Sequence, residues 1–336
     1  MKKKAYFIAQ SFRKVNHAGV KPSTDFEKII ISLGAKNLGI RPIITNIPKL
    51  EFILNIISTV KALISMPSNR IVFLQYPMQF CLKRLFRKAI KKNNEVILII
   101  HDINELRGLN PNYPEILQKA SAIIVHTPSM AKYVNKYYNK NTIVLGLFDY
   151  LMPPNNQAEN DFNLNTTKIV FAGNLSKAQF LDKLNFDKSS IEISVYGNNW
   201  DFINNPNLKY MGSVTQQELH RELPKYHFGL VWDGDEIDQC SGFFGDYLKI
   251  NSPYKASSYL AAGLPIIIWS QMGIKNLIKD NNAGIVVDSL SDLPQIIRSL
   301  TPNQYKELRN NALALSQKLQ NGEFTKGAIN NCMGMI

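Results

Sequence analysis

Asn251-Ser252-Pro253-Tyr254-Lys255-Ala256-Ser257-Ser258-Tyr259-Leu260-Ala261-Ala262-Gly263-Leu264-Pro265-Ile266-Ile267 is the stretch whose reading decides the fold. Pro253 is suited to opening a helix, because a proline there gives up only an N–H that would lack a partner anyway. Lys255 falls in the first turn, so helix amides and a cation face the same point, and a phosphate is the kind of group they attract. Gly263-Leu264-Pro265 then turns the chain back into a buried strand. Helix, tight turn and apolar strand in that order are part of a parallel α/β layer.

The same alternation extends in both directions. In the first half, strand-like apolar runs lie at residues 5–9, 71–75, 96–100, 122–126 and 142–145, with helical stretches at 25–34 and 79–92. In the second half, the strands fall at 168–174, 191–196, 228–232, 264–269 and 284–287, with an amphipathic helix over about 302–319. A chain of 336 residues exceeds what one core usually supports. The polar, proline-initiated segment 152–160 has no periodicity and reads as the junction. The expected layout is therefore a domain over 1–151, a linker over 152–166, a second domain over 167–318 and a tail over 319–336. Two open parallel sheets facing each other leave a cleft at their C-terminal strand ends, where such proteins bind ligands.

Phe171-Ala172-Gly173-Asn174-Leu175-Ser176-Lys177 is the second informative element. A strand ending in Gly-Asn lets backbone amides approach a ligand, and a lysine just beyond can meet a phosphate. The three cysteines Cys81, Cys240 and Cys332 are odd in number and widely spaced, which suggests neither a disulfide framework nor a zinc site, and reduced intracellular thiols fit them. The start, Met1-Lys2-Lys3-Lys4-Ala5-Tyr6-Phe7-Ile8, reads as a first strand and is too short in its apolar part for a signal peptide. Residues 50–66 contain Glu51, Asn55 and Lys61 and read as an amphipathic helix, short of a membrane span.

The charge is unevenly placed. Residues 1–150 hold 23 Lys/Arg against 8 Asp/Glu, a net of +15, while the rest hold 16 against 18. Such asymmetry points to an acidic partner, either nucleic acid or an anionic membrane leaflet. The densest segment, residues 83–92, interleaves Leu85 and Phe86 with its cations, as a surface helix touching lipid would. No nucleic-acid recognition motif accompanies it, so a basic nucleic-acid-binding protein is the weaker reading.

The order P-x-K-x-x-x-Y-L-A-A-G-L-P-I within 253–266 resembles the donor-site signature of GT-B glycosyltransferases. Residues 228–235, 240–242 and 245–249, with 101–108, 148–151 and 172–176, resemble bacterial β-1,6-galactofuranosyltransferases of O-antigen assembly. They are similar, less closely, to the glucosyltransferases that extend N-acetylglucosamine on serine-rich-repeat adhesins. The resemblance spans nearly the whole chain. It implies a GT-B fold of two Rossmann-like domains facing each other across a cleft, and inverting transfer of a hexose from a UDP-sugar, UDP-galactofuranose or UDP-glucose. The acceptor would be a saccharide of a surface polysaccharide or glycoprotein glycan, lipid-linked or protein-linked. Many GT-B enzymes carry a glutamate three residues after the lysine, where it grips the donor ribose, and here Ser258 stands in its place.

On this reading Gly173, Asn174, Lys177, Tyr196, Asn251, Tyr254, Lys255 and Ser258 form the donor site, with Tyr196 stacking on the uracil. The pyrophosphate charge is met by Lys177, Lys255 and helix amides, so no metal or other cofactor is expected. Asp233-Gly234-Asp235 superficially resembles the metal-binding D-x-D of GT-A enzymes, but its place after a strand midway through the second half suits a loop lining the cleft. Inversion needs a base. His101-Asp102 follows the strand at 96–100 and supplies the candidate, Asp102 as base beside His101, with Asp233, Asp235 and Asp246 as alternatives. An Asp102 that only holds its loop through Arg107 is the competing reading. The first loop, residues 11–23, carries Asn16, Gly19 and Lys21 as acceptor or loop contacts, with Asp233 and Asp235 on the other side, and Ser23 or Thr24 is placed to cap the following helix.

The implied setting is cytoplasmic, peripheral on the inner face of the membrane, with a homo-oligomer left open and no nucleic acid. A catalytically inactive GT-B scaffold is the remaining alternative, and the intact Lys177 and Lys255 argue against it.

Overall fold

The apolar runs become strands because each can be covered on both faces by helices, which is the burial a parallel sheet needs. The computed structural model describes residues 4–9, 20–43, 45, 47–77, 80–107, 114–153 and 166–335. Two compact units arise, one of Met1–Asp149 with Gly322–Ile336 and one of Tyr150–Asn321.

The first unit contains β1 (Ala5–Phe7), α1 (Val20–Ser32), β2 (Lys36–Asn37), α2 (Pro48–Ile64), β3 (Ile71–Tyr76), α3 (Leu82–Lys91), β4 (Glu95–Ile100), α4 (Pro114–Lys119), β5 (Ala122–Val125), α5 (Pro128–Tyr138) and β6 (Thr142–Val144). Its sheet order is β2-β1-β3-β4-β5-β6, and every pairing is parallel. In β4 the run from Val96 to Ile100 is buried without alternation, as expected for a central strand.

The second unit contains β7 (Thr167–Asn174), α6 (Phe180–Lys183), β8 (Ile191–Asn198), β9 (Lys209–Tyr210), α7 (Gln216–Glu222), β10 (Phe228–Val231), α8 (Gly242–Leu248), α9 (Tyr254–Ala261), β11 (Ile266–Trp269), α10 (Lys275–Asp280), β12 (Gly284–Val287), α11 (Leu293–Ser299) and α12 (Pro302–Gln320). The order is β12-β11-β10-β7-β8-β9, again all parallel. Both sheets reverse direction at their first strand. β1 lies between β2 and β3, and β7 between β8 and β10, so each unit has a topological switch point at the C-terminal end of that strand.

Several expectations need correction. The helix after the first loop begins at Val20, so Ser23 and Thr24 lie inside it, with the Thr24 hydroxyl donating to the Lys21 carbonyl at 3.1 Å, and neither caps it. Asn16 and Gly19 lie outside the described residues, as do residues 154–165 of the expected linker. The short edge strands β2 and β9 carry too few apolar residues to be read from sequence. The segment expected as a tail from 319 is the end of α12 followed by α13 (Glu323–Met335), and α13 belongs to the first unit. Asp149 explains its docking: its carboxylate accepts the Phe324 and Thr325 N–H groups at 3.2 and 2.7 Å, capping the helix as an acceptor should.

The basic helix α3 also departs from expectation. Leu85, Phe86 and Ala89 are fully buried, so its apolar face fills the core and only Lys83, Arg84, Arg87 and neighbouring polar groups face water. Leu85 and Phe86, expected on a surface helix that touches lipid, are therefore packed in the core. Among the described residues, no helix is long and apolar enough to cross a membrane.

Candidate active site

The switch point of the second unit collects most of the expected donor residues. Gly173 and Asn174 end β7. Asn174 Oδ1 accepts from Ser176 N at 3.2 Å and from Asn199 Nδ2 at 2.7 Å, which fixes the turn. β8 ends the same way, and the two Gly-Asn pairs are in register, Gly173 beside Gly197 and Asn174 beside Asn198. Gly197 allows a close approach: a Cβ there would stand 1.9 Å from the Gly173 carbonyl oxygen. The repeated strand ending was visible in the sequence, and it is the signal by which Asn198 and Asn199 could have been found.

α9 delivers Lys255 to the same place. Pro253 is its N-cap and Lys255 its second residue. Lys255 Nζ lies 4.5 Å above the Phe171 ring and 3.7 Å from where a Cβ on Gly173 would be. It donates to Asp233 Oδ1 at 2.7 Å and to the Trp232 carbonyl at 3.2 Å. Asp233, expected as an acceptor or loop contact, is thus the ion-pair partner of this lysine. Both side chains are largely shielded, 16% and 18% exposed, so water screens the pair less than it would at the surface. Asp235 is exposed, and Asp246 pairs with Lys249 at 2.7 Å.

α9 is held by Tyr259, whose buried hydroxyl accepts the Ala172 N–H at 2.7 Å. Burial pushes this phenol well above its usual range. Ser258 sits one turn beyond Lys255 on the same helix face and is buried. Tyr254 packs on Tyr150, ring centroids 5.2 Å apart. Beside the helix N-terminus, the buried Asn251 Oδ1 and Ser252 Oγ make no hydrogen bond among the described residues. Lys177 Nζ lies 4.2 Å over the Phe244 ring, and its carbonyl accepts the Gly234 N–H at 3.0 Å, tying the two loops together.

Tyr196 does not serve as a stacking face. It is buried, and its hydroxyl meets that of Tyr226 at 3.1 Å, because its alternate position in β8 points it into the core. A stacked pair stands nearer the surface instead: Trp200 and Tyr210 lie 4.5 Å apart with planes 10° from parallel, and the Tyr210 hydroxyl donates to the Gly197 carbonyl at 2.9 Å.

In the first unit, His101 and Asp102 follow the C-terminal end of β4. Asp102 Oδ2 accepts from Arg107 at 2.6 Å. His101 donates from Nε2 to Gln75 Oε1 at 2.6 Å and stacks on Phe148 at 5.4 Å, and burial lowers its pKa to about 4. His101 is therefore a neutral ring held between Gln75 and Phe148. His126 meets Phe148 from the side at 4.1 Å; burial and the neighbouring His101 lower it to about 3. Lys21 lies in the first turn of α1 and pairs with the buried Asp25; desolvation lowers its pKa, with Asp25 opposing. Among the described residues, no group of three or more His, Cys, Asp and Glu side chains is arranged as a metal site.

Two doubly wound units, the second with a lysine-bearing helix end at its switch point, are the architecture of a GT-B glycosyltransferase. The structure of Anabaena HepE in complex with UDP has this fold, with a TM-score of 0.59 at 13% identity over 98% of this chain and 100% of that one. The models for the N-terminal and C-terminal domains of glucosyltransferase 3-like proteins match residues 5–147 and 169–332, and the chain belongs to that family. It is 33% identical over 283 residues to the β-1,6-galactofuranosyltransferase WbbI of Escherichia coli strain K12, covering 82% of this chain and 83% of the relative. It is 27% identical over 240 residues to glucosyltransferase 3 of Streptococcus gordonii, 69% of each.

Proposed function

We propose that this glycosyltransferase moves a hexose, galactofuranose or glucose, from a UDP-sugar to a saccharide acceptor with inversion at the anomeric carbon. The reading rests on Lys255, aimed by Asp233 across the glycine end of β7 at the N-terminus of α9. The acceptor hydroxyl attacks the anomeric carbon, the bond to the donor pyrophosphate breaks, and UDP leaves with the electron pair. Lys255 and the α9 amides stabilise the charge that develops on the leaving phosphate, so the step needs no metal. Trp200 and Tyr210 take the base-stacking role, because Tyr196 is buried. Asp102 is the proposed base, with Arg107 orienting it until the acceptor hydroxyl displaces that contact. The names of WbbI and glucosyltransferase 3 support the two sugars, and the UDP bound to HepE supports the nucleotide.

The test is calorimetric binding of UDP, GDP and dTDP, followed by transfer from UDP-galactofuranose and UDP-glucose with the product anomer read by NMR. UDP-selective binding and an inverted product are expected. Retained configuration, or binding that ignores the base, would overturn the reading.

A further inference from the structure

α2 is built inside out. Its buried face carries Glu51, Asn55, Ser58 and Thr59, while Leu50, Phe52, Ile53, Ile56, Ile57, Val60 and Ile64 are exposed, Ile64 to 81%. The polar side is anchored: Ser58 Oγ accepts the Ile40 N–H at 3.2 Å and lies 2.2 Å from where a Cβ on Gly39 would be. Rolling the helix to hide its isoleucines would break this fit. Ile56, Ile57, Val60 and Ile64, with the stem of Lys61, line an open groove along the exposed side.

The only acidic residue of α2 is on its buried face, whereas its two lysines, Lys49 and Lys61, are exposed. The neighbouring α3 contains no acidic residue and exposes Lys83, Arg84 and Arg87. Apolar side chains beside cations are the pattern of a helix lying in a lipid interface, where hydrocarbon takes the apolar face and anionic headgroups take the charge. A second copy of the chain would bring the same cations against these. At 17 residues, α2 can lie in the interface plane and is short of a span.

We infer that α2 is a membrane-docking element that inserts its exposed apolar face into an anionic lipid surface, with α3 supplying the charge attraction. This differs from insertion by α3, whose apolar face is occupied.

The full-length protein is floated with phosphatidylglycerol-containing vesicles and with phosphatidylcholine alone. The comparison includes the Ile53→Ser/Ile57→Ser/Ile64→Ser variant and the Lys83→Gln/Arg84→Gln/Arg87→Gln variant. Wild type floats with the anionic vesicles, and each triple variant loses about tenfold or more in recovery, the charge variant most clearly at low salt. Phe52→Trp gains a fluorescence signal that brominated lipids quench. Transfer to a water-soluble acceptor stays unchanged in the isoleucine variant, which shows that it is folded. Wild type left at the bottom of the gradient, or an isoleucine variant that floats equally, overturns the proposal. If light scattering without lipid instead shows wild type as a dimer and the isoleucine variant as a monomer, with no flotation, the face belongs to a second copy and the proposal falls.

Discussion

Asp233 Oδ1 lies 2.7 Å from Lys255 Nζ, so the cation at the head of α9 is held in place by a carboxylate 22 residues earlier in the chain. In the proposed reaction the pair separates two roles, charge supplied by Lys255 and aim supplied by Asp233.

Lys255→Ala is expected to lower kcat/KM for the donor by about 100-fold or more, the loss of a preorganised partner for the departing phosphate. Asp233→Asn keeps a hydrogen-bond acceptor and gives a smaller loss, about tenfold, expressed in kcat as the lysine loses its aim. Steady-state kinetics on both variants checks this, with circular dichroism to show an unchanged fold. Near wild-type turnover in Lys255→Ala would remove the assignment.

Tyr259→Phe tests the bond that fastens α9 to β7. The change leaves the buried Ala172 N–H without its acceptor, at a cost of about 1–3 kcal/mol. Thermal unfolding of the variant is expected several degrees below wild type, with donor binding retained at low temperature. An unchanged melting temperature would show that the phenol adds nothing.

Acid stability follows from the buried His126 and Asp149 and the partly buried His101. His101 and His126 resist protonation until about 4 and about 3, below the ordinary 6.5, so the unfolded chain takes up protons first and stability falls as pH drops from 6.5 toward 4. Asp149 acts in the opposite sense. Burial raises it to about 6 against its two amide bonds, so the folded state gains a proton before the unfolded one, and its contribution grows as pH falls from 6 to 3.8. Urea unfolding across pH 7 to 4.5 should show a net loss for wild type, a shallower loss for His126→Leu and a steeper one for Asp149→Asn. Parallel curves for all three would contradict the assignment.

If Lys255 and the α9 amides meet the phosphate charge as proposed, transfer is expected to continue in EDTA at an undiminished rate. Turnover lost to EDTA and restored by manganese would make Asp233 and Asp235 metal ligands and Lys255 a secondary contact.

The strands of both sheets other than the two-residue edges β2 and β9, together with α9 and the Gly-Asn end of β7, were legible in the sequence because each is a local pattern. An unbroken apolar run forecasts a covered strand, and Pro253 and Gly263 bracket a helix whatever lies around it. The pairing of Asp233 with Lys255, the burial of Tyr196 and the return of α13 to the first unit were not. Each depends on which elements the crossovers bring side by side, and residues far apart in the chain carry no periodic signal of that. α2 illustrates the limit most directly. Its sequence announces two unlike faces, but which face turns inward was decided by the tertiary contacts of Ser58 with residues 39 and 40, since amphipathic spacing specifies a contrast between faces and packing alone specifies its direction.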